Sequence, residues 1–178
     1  MSKILNLLKE GDLRSIGKVP EVVEMVLAEP ALFQTVLQGM VHEDPGVRMR
    51  SSDAVEKISR KDPDYLHPHK NFLLTKAICQ TQQEVRWHIA QIIPRLSLDK
   101  SEKRYAVEVL FSYLGDQSKI VQTNALQALV DLTWEDDELF LRVKHEIERL
   151  AETGSPSVKN RARKLLPKVV RKPGKMQS

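Results

Sequence analysis

Five histidines, one cysteine and two tryptophans are the side chains of this 178-residue sequence best suited to chemistry. None stands in a spacing that dictates a reaction. His67 and His69 flank Pro68, with Asp62 and Asp64 nearby, all donors of the kinds that hold zinc. The cluster lacks the regular ligand spacing of a zinc site, so no metal is expected there. Cys79 follows the apolar pair Leu74 and Ile78 and is expected to be a small core residue rather than a nucleophile. A Gly-rich phosphate loop, a His-Glu-x-x-His and a Gly-x-Ser-x-Gly are all absent from the sequence. The expectation is a chain with no catalytic residue, no metal and no cofactor.

What remains is recognition chemistry. Trp87, beside His88, and Trp134 are the aromatic candidates, because a large aromatic group on an open surface anchors partners. Trp134 lies near a helix end, where packing is the expected role; Trp87 is retained as a contact candidate.

The elements that must carry these residues follow from a repeat. Valines open four similar segments at Val47, Val85, Val121 and Val158, separated by 38, 36 and 37 residues. Small or aliphatic residues follow each valine at offsets 4, 7, 8 and 11: Ser51, Ala54, Val55, Ile58; Ile89, Ile92, Ile93, Leu96; Ala125, Ala128, Leu129, Leu132; Ala162, Leu165, Leu166, Val169. Those offsets trace one face of an α-helix. Upstream, eleven and seven residues before each valine, stand Val36 and Met40, Leu74 and Ile78, Leu110 and Leu114, Ile147 and Ala151. Each unit is therefore an outer and an inner helix joined by turns such as Asp44-Pro45-Gly46 and Gly154-Ser155-Pro156. Pro94 and Pro167, nine residues into their inner helices, are expected to bend the last turn.

This pattern resembles the HEAT repeats, whose second helix typically opens with Asp-x-x-Val-Arg. Asp44-Pro45-Gly46-Val47-Arg48 matches that opening in full and Glu84-Val85-Arg86 its last part, whereas Gln122 and Lys159 replace the arginine in the third and fourth units. The resemblance covers about Ala31 to Val170. It implies an all-α, right-handed α-α superhelix of helical hairpins, an armadillo-like solenoid with repeats at about 31–62, 63–99, 100–136 and 137–170. Residues 1–30, interrupted by Gly11, Gly17 and Pro20, are expected to form an irregular cap with short helices over Ile4 to Lys9 and Val19 to Ala28. Residues 171–178 are expected to be a basic flexible tail, and the whole to be one structural domain.

In the resembling family the inner helices line the concave face. Outside the apolar stripe they present three ladders: Arg50, His88, Asn124 and Arg161; Asp53, Gln91, Gln127 and Lys164; Lys57, Arg95, Asp131 and Lys168. Six of these twelve are Lys or Arg and two are Asp, a moderately basic surface suited to an acidic or amide-rich peptide, or to a phosphate backbone. The candidate contact residues are thus Arg50, Lys57, Trp87, His88, Arg95, Asn124, Asp131, Arg161, Lys164 and Lys168. From Ser157 onward there are eight basic residues and no acidic one, while the rest of the chain carries 20 basic and 24 acidic residues. The net charge of +4 is thus a property of the carboxy-terminal end.

The expected function is a non-catalytic scaffold that holds a protein partner. The alternative is nucleic-acid binding or processing, since HEAT-like alkylpurine DNA glycosylases resemble this architecture and use a basic face with tryptophan and aspartate; Trp87, Asp131 and Trp134 supply those residue types here. His42-Glu43 and His145-Glu146 resemble the paired ligands of HEAT-type iron hydroxylases, but that family places them after the valine-arginine step, where Met49-Arg50 and Trp87-His88 stand. Bilin lyase subunits also contain HEAT-like units, with a repeat usually nearer 30 residues. A single cysteine excludes an internal disulfide, and no uncharged run approaches the roughly 18 residues that span a bilayer. No membrane association and a cytoplasmic location are expected.

Overall fold

A computed structural model describes residues 3–12 and 15–172. It is all-helical, with ten α-helices and no strand among the described residues. Met1–Ser97 and Leu98–Ser178 form two compact units.

In the first unit, α1 (Lys3–Lys9), α2 (Val19–Ala28), α3 (Phe33–Gly39) and α6 (Gln83–Ile92) all pack against α4 (Pro45–Lys61). α4 starts where the sequence demands it. Pro45 needs no N–H partner in the first turn, and the Asp44 carboxylate accepts from Gly46 N at 2.7 Å and Val47 N at 3.1 Å. The segment between α4 and α6 is less regular than a full outer helix. It runs as a 3-10 stretch over Pro63–His69, a short α5 (Lys70–Phe72) and a π-helical turn over Leu73–Ala77. Pro68 denies this stretch an amide donor and so prevents one continuous α-helix. Cys79, expected in the core, is exposed beyond the π turn, whose wider spacing rotates it outward while Leu74 and Ile78 stay buried. Pro94 does more than bend its helix. α6 ends at Ile92 and Ile93–Arg95 continue as a 3-10 turn.

The second unit contains α7 (Lys100–Tyr113), α8 (Lys119–Thr133), α9 (Asp137–Thr153) and α10 (Pro156–Val170), with α8 packed against the other three. α7 begins in a complete capping box between Asp99 and Glu102, and α9 is capped by Asp136. Pro167 is accommodated inside α10, which runs on to Val170.

The stripe reads through into burial. Val47, Val85, Val121 and Val158 are all buried, and so is every offset position after them except the half-buried Leu166. The residue after each of the first three valines makes one recurring bond to the carbonyl six residues earlier. Arg48 Nη1 donates to His42 O at 2.8 Å, Arg86 Nε to Gln80 O at 3.1 Å and Gln122 Nε2 to Asp116 O at 2.5 Å. Glutamine thus performs the arginine's task in the third hairpin, because both side chains reach back with an N–H donor. Of the expected tail, residues 173–178 lie outside the described residues.

Candidate functional site

The inner-helix positions of the first unit converge on one cavity of about 230 Å³. α4 contributes Met49, Arg50 and Asp53, at offsets 2, 3 and 6 from its valine; α6 contributes Glu84, Trp87 and His88, at offsets −1, 2 and 3. Steps of three and four residues keep each trio on one helix face. Ser15 and Ile16, from the segment before α2, complete the wall, and Ile16 is 54% exposed.

A short hydrogen-bond chain fixes the aromatic wall. Trp87 Nε1 donates to His88 Nε2 at 3.1 Å. His88 Nδ1 lies 2.7 Å from Glu84 O, so with Nε2 accepting, the ring proton sits on Nδ1 and is donated to that carbonyl. Asp53 anchors the other side. Its Oδ2 accepts from Lys57 Nζ at 2.5 Å, and its Oδ1 is 3.5 Å from His88 Nε2. Burial by itself raises the Asp53 pKa, but the Lys57 ammonium, acting as hydrogen-bond donor and as charge, favours the ionised form, and the carboxyl is held below its ordinary value. The pocket therefore carries an ionised carboxylate beside a positioned indole.

Arg50, expected on an open surface, is 1% exposed. Its guanidinium donates to Leu8 O at 3.0 Å, to Ser15 O at 3.1 Å and to Asp12 O, tying the amino-terminal segment onto α4. The glycines that interrupt that segment make room for it. Gly17 has φ +51°, and a Cβ there would meet Glu10 O at 2.6 Å and Arg50 Nε at 3.1 Å; Gly11 has φ +98° and also faces the guanidinium. Arg50 forms a wall of the pocket, but the donors it uses on those carbonyls are spent.

Most of the other expected contact residues are drawn into pairs. Arg95 Nη2 donates to Glu56 Oε1 at 2.7 Å and Nη1 to Ser59 Oγ at 2.9 Å. Lys57 is engaged by Asp53, as above. In the second unit, Arg161 Nη1 donates to Gln127 Oε1 at 3.3 Å, Gln127 Nε2 to Asp131 Oδ2 at 2.9 Å and Lys168 Nζ to Asp131 Oδ1 at 3.2 Å. Asn124 Nδ2 donates to Ile120 O in its own helix. Lys168 also lies 4.9 Å from the centre of the Trp134 ring, which packs edge-on against Phe140, in keeping with a packing role for that tryptophan. Lys164 alone among these cations is exposed without a hydrogen bond or ion pair to a described residue. The structure thus gathers Arg50, Trp87 and His88 at one site and leaves the remaining candidates elsewhere.

Sequence reasoning missed Ser15, Ile16, Met49 and Glu84. Met49 and Glu84 were within reach, since offsets −1 and 2 share a helix face with 3 and 6. No spacing signal marks Ser15 or Ile16. Among the described residues no three His, Cys, Asp or Glu side chains gather as a metal site, and no helix is long and apolar enough to cross a membrane.

The chain is similar in fold to the crystal structure of an engineered protein from the Northeast Structural Genomics Consortium, with a TM-score of 0.60 and 16% sequence identity over 94% of this chain and 78% of that one. That likeness shows the fold alone. No protein-family model and no curated protein matches the chain.

Proposed function

We propose that this chain is a non-catalytic module of HEAT-like helical hairpins that binds a protein partner through the face its inner helices present, centred on the Trp87 pocket. The observation that carries this reading is the equivalence of positions. The recurring side chain-to-carbonyl bond of Arg48, Arg86 and Gln122 closes the same turn in three hairpins, and within the first unit α4 and α6 bring matching offsets to one cavity. Such a surface suits an extended peptide, which meets one helix after another. The pairing of Lys57, Arg95 and Lys168 with carboxylates removes charge that a phosphate backbone needs, and so favours protein over nucleic acid.

Panning a degenerate peptide library on the intact protein, with Trp87→Ala as the counter-screen, tests the reading. Enriched peptides that bind the wild type and lose affinity for the variant are the expected result. Tight binding of duplex or single-stranded DNA, falling steeply between about 50 and 200 mM salt and untouched by Trp87→Ala, overturns it.

A further inference from the structure

We infer that the Trp87 pocket receives a cationic side chain of the partner, an arginine in preference to a lysine. This inference rests on the protein-binding reading and specifies its chemistry at one place.

The walls demand two properties at once. Ile16, Met49 and Trp87 offer apolar side chains, while the acidic residues Asp53 and Glu84 line the same cavity. A purely apolar side chain would strip water from those carboxylates and return no hydrogen bond, which is costly for a charged group. An acidic side chain would face two like charges, and three of the five Arg50 N–H donors are already given to Leu8 O, Asp12 O and Ser15 O. A side chain with an aliphatic stem and a cationic head satisfies both walls. Arginine fits better than lysine because its planar guanidinium stacks on an indole and forks toward carboxylate oxygens.

The site is also built before a ligand arrives. The chain from Trp87 Nε1 through His88 to Glu84 O holds the indole plane, so stacking requires no ordering of the wall. Asp53 retains acceptor capacity beyond its single Lys57 bond, since a carboxylate has about four lone-pair sites. Glu84, in the first turn of α6, is half-buried and is met by the Gln83 side-chain amide at 3.2 Å. The basic character counted from the ladders does not carry over to this pocket, because Arg50 spends three of its donors on backbone carbonyls while Asp53 keeps acceptor capacity.

The probe is a set of blocked tripeptides with glycine on either side of arginine, lysine, norleucine or glutamate, titrated at millimolar concentration into the intact protein. The readout is the Trp87 indole N–H resonance, assigned with Trp134→Phe. Arginine peptide should shift that resonance saturably and bind at least about tenfold tighter than the norleucine peptide, as one desolvated charge interaction of ~1.4 kcal/mol provides. Lysine should fall between them and glutamate should give no saturable shift. Glu84→Gln, at a half-buried position, should weaken arginine binding several-fold; Asp53→Asn should weaken it further, with amide exchange across α4 serving as the check on folding of the first unit. Norleucine binding as tightly as arginine, glutamate binding more tightly, or no response to any peptide overturns the inference. Should library peptides depend on Trp87 yet carry no basic residue, the cationic assignment fails while the protein-binding reading stands; should none depend on Trp87, that reading fails as well.

Discussion

Replacing Arg50 by methionine isolates what the buried guanidinium does, because methionine keeps an unbranched stem of similar length and removes every donor. Three carbonyls lose a partner. Leu8 O is buried and has no route to water, so its loss should cost about 2 kcal/mol; Asp12 O and Ser15 O are partly buried and can be rehydrated, at about 0.5 to 1.5 kcal/mol each. Together the variant should lose about 3 to 5 kcal/mol, a large share of the ~5 to 15 kcal/mol that holds a typical domain. Since the chain forms two compact units, the unfolding of the first must be read separately. Urea titration followed by Trp87 fluorescence in a Trp134→Phe background does this. Amide exchange across α1 should accelerate by two or more powers of ten, because α1 is held to α4 partly through Leu8 O. A loss below about 1 kcal/mol, or α1 exchange unchanged, would refute the claim that Arg50 fastens the amino-terminal segment.

Two further outcomes follow from burial and charge. Leu129→Ala empties a fully buried position of α8 and should cost about 2 to 5 kcal/mol, seen as a lowered urea midpoint by Trp134 fluorescence with the Trp87 transition recorded beside it. An unchanged Trp134 midpoint would place Leu129 outside the core. Asp53 ties stability to pH. Burial opposes its ionisation, the hydrogen-bonded Lys57 ammonium favours it, and the folded carboxyl stays below the ordinary value of 3.8. The unfolded chain therefore takes up the proton first, so this stabilisation is complete above about pH 4 and is lost as pH falls through the folded value. Asp53→Asn should accordingly destabilise the first unit at pH 6 and much less at pH 3; equal penalties at both would sink the assignment.

The helical framework was legible because it rests on apolar spacing. Valine at offset zero and aliphatic residues at 4, 7, 8 and 11 leave one arrangement that removes them from water, and all of the described stripe except Leu166 is buried accordingly. Irregularities were legible only where a residue forbids the regular form. Gly11 and Gly17 marked the break between α1 and α2, and Pro94 marked the end of α6, but nothing in the residues from Leu73 to Ala77 announced a π turn, and with it Cys79 was misplaced. A π turn inserts one extra residue without requiring a special side chain, so its signature lies in the backbone bond from Ile78 N to Leu73 O rather than in composition.

Charge is where counting residues diverges most from the folded chain. The ladders contain six cations to two carboxylates, a ratio that suits an acidic partner. Folding spends those cations unequally. Arg50 is consumed by backbone carbonyls that carry no formal charge, Arg95 by Glu56 from outside the ladders, and Lys57 and Lys168 by the aspartates Asp53 and Asp131 within them. A carboxylate that meets one lysine keeps most of its about four lone-pair sites to offer, whereas a guanidinium bonded to three carbonyls has committed three of its five N–H donors. Pairing therefore removes donors faster than acceptors, and around Trp87 the acceptors with unspent capacity belong to Asp53 and Glu84. Formal charge sets the long-range field that steers a partner toward the chain, but the group that enters a pocket is chosen by the valences left open there, and these exist only once the helices have packed.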